Sequence, residues 1–128
     1  MANVAIEVKE LNKTYGDKCI ALNSISISIT EGIVYGILGP NGAGKTTLIS
    51  VLSGLLNKTS GFVSVFGANT ENLDRKKLQA KIGVAPQEIA LYEMLTPIEN
   101  LEYFATMYGI NKKDFLVRSQ ELLQQFGL

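Results

Sequence analysis

The residues with the clearest chemical potential form a glycine-rich stretch in the first half of the chain. Gly39-Pro40-Asn41-Gly42-Ala43-Gly44-Lys45-Thr46 matches the pattern G-x-x-x-x-G-K-[ST] at every fixed position. Glycines let a loop turn its backbone N–H groups inward and let phosphate oxygens approach closely. The lysine supplies a mobile cation for the outer phosphates, and the threonine hydroxyl supplies a ligand for Mg²⁺. We call residues 39–46 the phosphate loop and expect it to bind a polyphosphate.

The segments on either side of the phosphate loop have the order that such a loop requires. Residues 31–39 are apolar on both faces and predict a central strand covered on both sides. Residues 45–56 repeat apolar side chains at helical spacing and predict a helix. The positive end of this helix would face the phosphates, and we expect Thr47, in its first turn, to contact the α-phosphate.

The rest of the chain predicts both strands and helices. Residues 4–11 and 24–30 alternate apolar and polar side chains, which is typical of half-buried strands in an antiparallel sheet. Residues 61–67 and 81–86 predict two short strands. Helices are predicted after two N-terminal capping residues, Thr96 and Asn111. Together these segments indicate an α/β chain.

Composition excludes several classes of protein. Lys plus Arg and Asp plus Glu are balanced at 12 each, which argues against a nucleic-acid binder that relies on a basic face. The absence of histidine excludes His-dependent metal sites and Ser-His triads. A single cysteine, Cys19, cannot form an intrachain disulfide, and no stretch reaches the roughly 18 to 20 apolar residues that span a bilayer. We therefore expect a cytoplasmic protein with no anchor of its own.

The phosphate loop and its surroundings resemble the ATP-binding subunits of ABC transporters. GPNGAGKTTL resembles the family's loop. The surrounding segments agree with the family in order and spacing from near residue 4 to the C-terminus. They are LNKTYGDKCIALNSISISITEGIVYGILG before the loop, and SGFVSVFG and IGVAPQEIALYEMLTPIENL after it. The resemblance implies an α/β fold: a P-loop NTPase core with an N-terminal antiparallel β-subdomain and the start of a helical subdomain, in an incomplete domain. Residues 1–128 would be the N-terminal portion of one ABC ATP-binding domain, with the β-subdomain and core in 1–90 and the helical part in 91–128.

The resemblance also implies roles for particular residues. Tyr15 would stack on adenine, and Gln87 would reach the Mg²⁺ and the attacking water. The implied cofactors are ATP and Mg²⁺. The nucleotide would contact Tyr15, Gly39, Pro40, Asn41, Gly42, Ala43, Gly44, Lys45, Thr46 and Thr47; the metal would be held by Thr46 and Gln87; Lys45 and Gln87 would act in catalysis.

The same resemblance implies two protein partners. One is a membrane-spanning transporter subunit, contacted through the apolar loop 87–97 (QEIALYEMLTP), and the other is a second ATP-binding subunit. The protein would then lie at the inner face of the membrane. The glutamine region and the LTPIENL phrase look most like exporters whose membrane partner is a separate polypeptide.

Several of the family's catalytic elements follow the region matched here. They are the signature motif, a second metal-binding strand with its aspartate and catalytic glutamate, and a switch histidine. We therefore expect these 128 residues to bind Mg·ATP without turnover. Unpaired apolar strand edges would make self-association of the chain a prospect.

Other functions stay open from sequence alone. They are a soluble ABC-type ATPase acting on nucleic acid or ribosomes, a small-molecule kinase, and a nucleotide-binding or regulatory fragment without catalysis. A kinase would need an arginine-rich lid, and the only arginines are Arg75 and Arg118. Residues 111–114 spell the guanine-reading N-K-x-D, yet they open an amphipathic helix and no D-x-x-G accompanies them.

Overall fold

The computed structural model describes residues 3–16, 18–71 and 75–128. The chain divides into two compact units, Met1–Val84 and Ala85–Leu128. The first unit holds a sheet and the phosphate loop, and the second holds two longer helices. No helix in the described part of the chain has the length and apolar character needed to cross a bilayer.

An antiparallel sheet forms the body of the first unit. Its strands are β1 (Val4–Tyr15), β2 (Cys19–Thr30), β3 (Ser60–Val65) and β4 (Ala68–Asn69), in the order β2-β1-β3-β4. β1 and β2 form a long hairpin that pairs Val4 with Thr30 at one end and Tyr15 with Cys19 at the other. The half-buried isoleucines of β2 alternate with exposed residues, as the period of a one-sided strand requires. The predicted antiparallel β-subdomain is therefore confirmed.

The strand pairing of this hairpin is irregular near its middle, where the register shifts between Val8 and Lys13, and we call this irregularity the kink. Glu10 and Ser24 lie on opposite strands with φ values of 47° and 50°, which residues other than glycine rarely adopt. The side chain of Asn12 stabilises both: its Nδ2 donates to Glu10 O at 2.8 Å, and its Oδ1 accepts from Ser24 N at 2.8 Å. Gly61 of β3 lies so close that a Cβ there would overlap the carbonyl of Glu10. The kink therefore requires glycine on the neighbouring strand.

Helix α1 (Lys45–Leu52) covers one face of the sheet. Its Leu48, Val51 and Leu52 pack in a core with apolar residues of the three longer strands. The core contains Val8, Leu11, Leu22, Leu48, Val51, Leu52, Val63, Val65 and Leu78. The last of these lies in the short helix α2 (Arg75–Gln79). The helix predicted to residue 56 ends at Leu52, because Gly54 takes the left-handed conformation (φ 72°) that terminates helices.

The second unit consists of a loop and helices α3 (Pro97–Met107) and α4 (Lys112–Gln125). Thr96 and Glu99 form the predicted capping box of α3: Thr96 N donates to Glu99 Oε2 at 2.7 Å and Glu99 N donates to Thr96 Oγ1 at 3.4 Å. The Thr96 hydroxyl also donates to Glu99 Oε2, at 2.7 Å, and this bond together with the one from Thr96 N holds the pKa of Glu99 below its usual value. Asn111 caps α4 by accepting from Asp114 N at 3.0 Å. Both predicted helix starts are confirmed.

Two predicted strands do not form. Residues 33–40 and 82–86 have no strand pairing, and the four-stranded sheet is the one sheet within the described residues. Val34 and Leu38 are fully exposed, at 102% and 97%, while Ile37 packs against the core. The expectation that 31–39 is covered on both sides is therefore wrong for this structure. A central strand needs hydrogen-bonded neighbours, and none of the described strands pairs with this segment.

Replacement of Gly61 by alanine tests the kink. The new Cβ would collide with backbone atoms of Glu10 and Leu11 at a φ of 93°. We expect Gly61→Ala to lower the free energy of unfolding by about 3 kcal/mol, near the top of the usual range for point mutants. Urea denaturation followed by circular dichroism measures this loss.

Gly67→Ala is the matched control for this variant. Gly67 also has a positive φ (74°), but its Cβ would meet open space. We expect a loss of only about 1 kcal/mol, which is the backbone cost alone. Equal losses at the two positions would contradict the close approach of β3 to the kink.

Candidate functional site

The phosphate loop leads from an extended segment into α1. Gly42 and Gly44 have φ values of 83° and 86°, the left-handed region that favours glycine. Ala43 N donates to Pro40 O at 3.3 Å and closes a tight turn between them. Gly42 and Gly44 therefore occupy the positions where the backbone of the loop changes direction.

The side chain of Lys45 is hydrogen-bonded to the beginning of the phosphate loop. Its Nζ donates to Gly39 O and to Pro40 O, each at 2.7 Å. These carbonyls belong to the first two residues of the motif, so the ammonium group joins the end of the motif to its beginning. A phosphate in the loop would offer the ammonium group a stronger, charged acceptor. The lysine is thus already placed at the loop and need only exchange carbonyl partners for an anion.

The start of α1 is open to an anion. Its N-cap is Gly44, which supplies no side-chain hydrogen bond, and the first turn contains no acidic residue. The first intrahelical bond runs from Leu48 N to Gly44 O at 2.8 Å. The amide groups before it have no partner within the helix, and they carry the positive end of its dipole. Thr46 is exposed and Thr47 is half-buried in this first turn.

Gly44 also lies against the backbone of β2. A Cβ on Gly44 would overlap the carbonyl oxygen of Ala21 and would come within 2.9 Å of Leu22 Cδ2. The second motif glycine is therefore required for packing as well as for its φ angle. Sequence reasoning did not identify Ala21 and Leu22 as part of the site, because this contact joins positions far apart in the chain.

Tyr15 lies at the end of β1, in the same unit as the phosphate loop. It is 44% exposed and is paired with Cys19, the first residue of β2. Lys13, two residues earlier, has its Nζ 5.1 Å from the centre of the Tyr15 ring. The ring is therefore accessible to a ligand, and its predicted stacking on adenine stays a prediction.

Gln87 lies in the second unit, at an exposed bend. The apolar residues that follow it are largely exposed: Ile89 at 79%, Leu91 at 61% and Met94 at 96%. With α3 and α4, this loop lines an apolar groove of about 560 Å³ that includes Leu101, Phe104, Leu122 and Leu123. The metal role of Gln87 and the partner role of the loop remain predictions.

One buried amide fixes the loop before α3. The Oδ1 of Asn100 accepts from Tyr92 N at 2.9 Å, and its Nδ2 lies within hydrogen-bond distance of the carbonyls of Tyr92, Leu95 and Thr96, at 3.0 to 3.2 Å. Asn100 is 6% exposed. The sequence analysis missed this residue, although a polar amide on the apolar side of a capped helix is a detectable signal.

Aromatic contacts support the same loop. The rings of Tyr92 and Tyr103 meet edge to face with centroids 4.8 Å apart, and Tyr103 makes a similar contact with Phe104 at 5.4 Å. A hydrogen bond with Tyr103 raises the pKa of Tyr92. The loop between Tyr92 and Thr96 is therefore attached to α3 by both polar and aromatic contacts.

Comparisons with known proteins agree with this arrangement. The sequence profile of the ABC transporter family matches residues 22–128. A linearmycin resistance ATP-binding protein of Bacillus subtilis is 42% identical over 123 residues, which are 96% of this chain and 39% of that protein. The chain thus spans about two fifths of the length of this relative.

Two solved structures have the same fold. The cbiO1 protein of Clostridium perfringens, described as part of the ABC transporter complex cbiONQ, matches with a TM-score of 0.85 at 27% identity, over 98% of this chain and 51% of its own. A dimeric ATP-binding cassette in a post-hydrolysis state, bound to ADP and Pi, matches with a TM-score of 0.77 at 28% identity, over 96% and 57%.

Asn100→Ala tests the attachment of the loop. The substitution removes the hydrogen bonds to residues 92–96 and leaves the capping box of α3 intact. We expect hydrogen exchange of the amides of residues 92–95 to quicken about 10-fold or more, since a lost hydrogen bond to a buried amide costs about 1–3 kcal/mol.

The matched control is Thr106→Val on the same helix. Thr106 Oγ1 donates only to Glu102 O, at 2.8 Å on the exposed side. We expect this variant to leave the loop amides unchanged. Exchange at residues 92–95 that is equal in Asn100→Ala and the parent chain would show that the amide does not attach the loop.

Proposed function

The chain belongs to the ABC transporter family, and from that premise we propose that it is the ATP-binding part of an exporter's ATPase subunit. The intact subunit would couple ATP binding and hydrolysis to transport by a membrane-spanning partner. The name of the Bacillus subtilis relative, a resistance protein, supports export as the direction of transport. The observation that carries the proposal is the closed phosphate loop with Lys45 over its first two carbonyls.

The phosphate loop would bind the polyphosphate through its backbone and Lys45. The left-handed Gly42 and Gly44 turn the chain around the ligand, and the uncapped start of α1 adds amide donors. Residues from Gly39 to Thr47 would contact the nucleotide in this arrangement. Lys45 would release Gly39 O and Pro40 O and pair with the outer phosphates, where charge develops during phosphoryl transfer.

Mg²⁺ fits the oxygen donors of this site. The exposed hydroxyl of Thr46 lies in the first turn of α1, next to the position proposed for the phosphates. Mg²⁺ prefers oxygen ligands and is held by few protein groups together with substrate phosphates and waters. We propose Thr46 as one ligand, and the resemblance to the ABC family extends the proposal to the side-chain carbonyl of Gln87. Bound metal would neutralise phosphate charge.

The adenine base would stack on the exposed ring of Tyr15. Stacking of a base on an aromatic side chain contributes about 1–3 kcal/mol and is tolerant of base identity. The ring lies at the end of the hairpin whose β2 residues Ala21 and Leu22 pack against Gly44. Tyr15 and the phosphate loop therefore belong to one packed unit, as two contacts with the same nucleotide require.

We propose two protein partners for the intact ATP-binding subunit. The exposed apolar residues of the loop after Gln87 form the proposed contact with the membrane subunit, since a solvated loop rarely exposes so many apolar side chains. A second ATP-binding subunit would pair with this one, as the dimeric cassette among the structural neighbours suggests. The complex would lie at the inner face of the membrane.

Lys45→Ala tests the nucleotide site. Loss of the charge-assisted contact should weaken ATP binding by roughly 10- to 100-fold, because such a contact contributes about 1.5–3 kcal/mol. Isothermal titration calorimetry with Mg·ATP measures the change. Lys113→Ala, on the exposed surface of α4, removes an equal charge outside the site and should leave the affinity unchanged. Unchanged affinity in Lys45→Ala would contradict the proposed role of the loop.

Single-turnover assays test whether these 128 residues hydrolyse ATP by themselves. We expect binding without hydrolysis, because the proposed site contains no carboxylate to orient an attacking water. The measurement follows labelled ATP with protein in excess, beside the Lys45→Ala variant as background. Release of phosphate that the parent chain supports and Lys45→Ala abolishes would refute this expectation.

A further inference from the structure

Lys13 contacts the ring of Tyr15, the proposed adenine platform. Its Nζ lies 5.1 Å from the centre of the Tyr15 ring, within the range of a cation–π contact. Three ion pairs are found among residues 3–16, 18–71 and 75–128, and none of them includes Lys13. We propose that Lys13 is a positioning residue that holds the ring of Tyr15 for stacking by the nucleotide base, an inference that rests on the proposed function.

The strand register places Lys13 on the side of the sheet that faces the phosphate loop. Lys13 is directly opposite Leu22 in the β1–β2 pair. Residues directly opposite each other in an antiparallel pair point to the same face. Leu22 is buried in the core beside α1, and its Cδ2 would touch a Cβ on Gly44. Lys13 therefore shares a face with the residue that contacts the end of the phosphate loop.

The position of Tyr15 in the hairpin explains why a supporting contact would help it bind a base. Tyr15 is the last residue of β1 and is followed by Gly16, which has a φ of 55°. A partly exposed ring at the end of a strand keeps some side-chain freedom, and stacking must offset the loss of that freedom. A cation on one face restricts the ring before the ligand arrives. It also draws electron density from the ring, which reduces repulsion against a second π-system on the other face.

A charged group near a nucleotide could also act directly on the phosphates, and the two actions have different signatures. An effect through Tyr15 requires a base on the ligand and disappears when the ring is removed. A direct effect on phosphate is present with inorganic tripolyphosphate and is independent of Tyr15. Comparison of ATP with tripolyphosphate therefore separates positioning of the ring from attraction of the anion.

The experiment measures both ligands, with Mg²⁺, by calorimetry on the full chain. Lys13→Met keeps the length of the side chain and removes the charge. We expect it to weaken ATP binding about 3-fold, the size of an exposed cation–π contact, and to leave tripolyphosphate binding unchanged. Lys13→Arg should restore ATP affinity, because a guanidinium group also stacks on aromatic rings. In a Tyr15→Ala background, Lys13→Met should have no further effect.

The chain offers a matched control on the same strand. The Nζ of Lys9 lies 5.7 Å from the centre of the Phe62 ring, a cation–π contact of the same kind between β1 and β3. Lys9→Met removes it at a distance from the phosphate loop along β1. We expect ATP binding to be unchanged in this variant. A loss equal to that of Lys13→Met would mean that general loss of charge, and not the position of Tyr15, lowers the affinity.

The outcomes separate this inference from the proposed function. If Tyr15→Ala leaves ATP affinity unchanged, the adenine platform is wrong and the role of Lys13 falls with it. If Tyr15→Ala weakens ATP binding but Lys13→Met does not, only the role of Lys13 is overturned. If Lys13→Met weakens tripolyphosphate binding as much as ATP binding, Lys13 acts on the phosphates and the positioning role is overturned as well.

Discussion

The close approach of Gly44 to the backbone of β2 determines where the phosphate loop lies. A side chain at this position would overlap the carbonyl of Ala21, so the helix that begins at Lys45 can reach the sheet only with glycine at its N-cap. Once there, α1 buries Leu48 and Val51 in the core of the first unit. The loop is thereby a fixed part of the unit, and preorganisation of this kind reduces the entropic cost of binding.

The two units depend on different interactions. The first is held by an apolar core between the sheet and α1. The second depends more on polar detail: the capping box at Thr96, the Asn111 cap, and the attachment of the loop by Asn100. The buried amide of Asn100 satisfies backbone groups of a loop whose apolar side chains are exposed. The contacts that stabilise each unit are made by residues of that unit, so a mutation can test one set without altering residues of the other.

Local sequence signals predicted local structure well. The helix starts at Thr96 and Asn111 follow from a capping side chain and its partner three residues later, so all the interacting atoms lie within one turn. The alternation over residues 24–30 also predicted a half-buried strand, but the sequence did not show that β1 continues to Tyr15 and that β2 begins at Cys19. The segment 31–39 misled sequence reasoning because its apolar composition describes a strand with neighbours, and the structure gives it none among the described residues. Composition alone does not supply the hydrogen-bonding partners that make a strand.

The sequence by itself determined the phosphate loop, its position before a helix, two half-buried strands and the family resemblance, because each depends on residue types at short, fixed spacing. Only the tertiary structure decided that Gly44 packs on Ala21 and Leu22, and that Asn100 attaches the loop at Tyr92. It also decided that Lys13 lies over the ring of Tyr15. These contacts depend on strand register, a kink, and the path of the backbone. Register and backbone path are set by the packing of the whole unit, and short sequence patterns do not predict them.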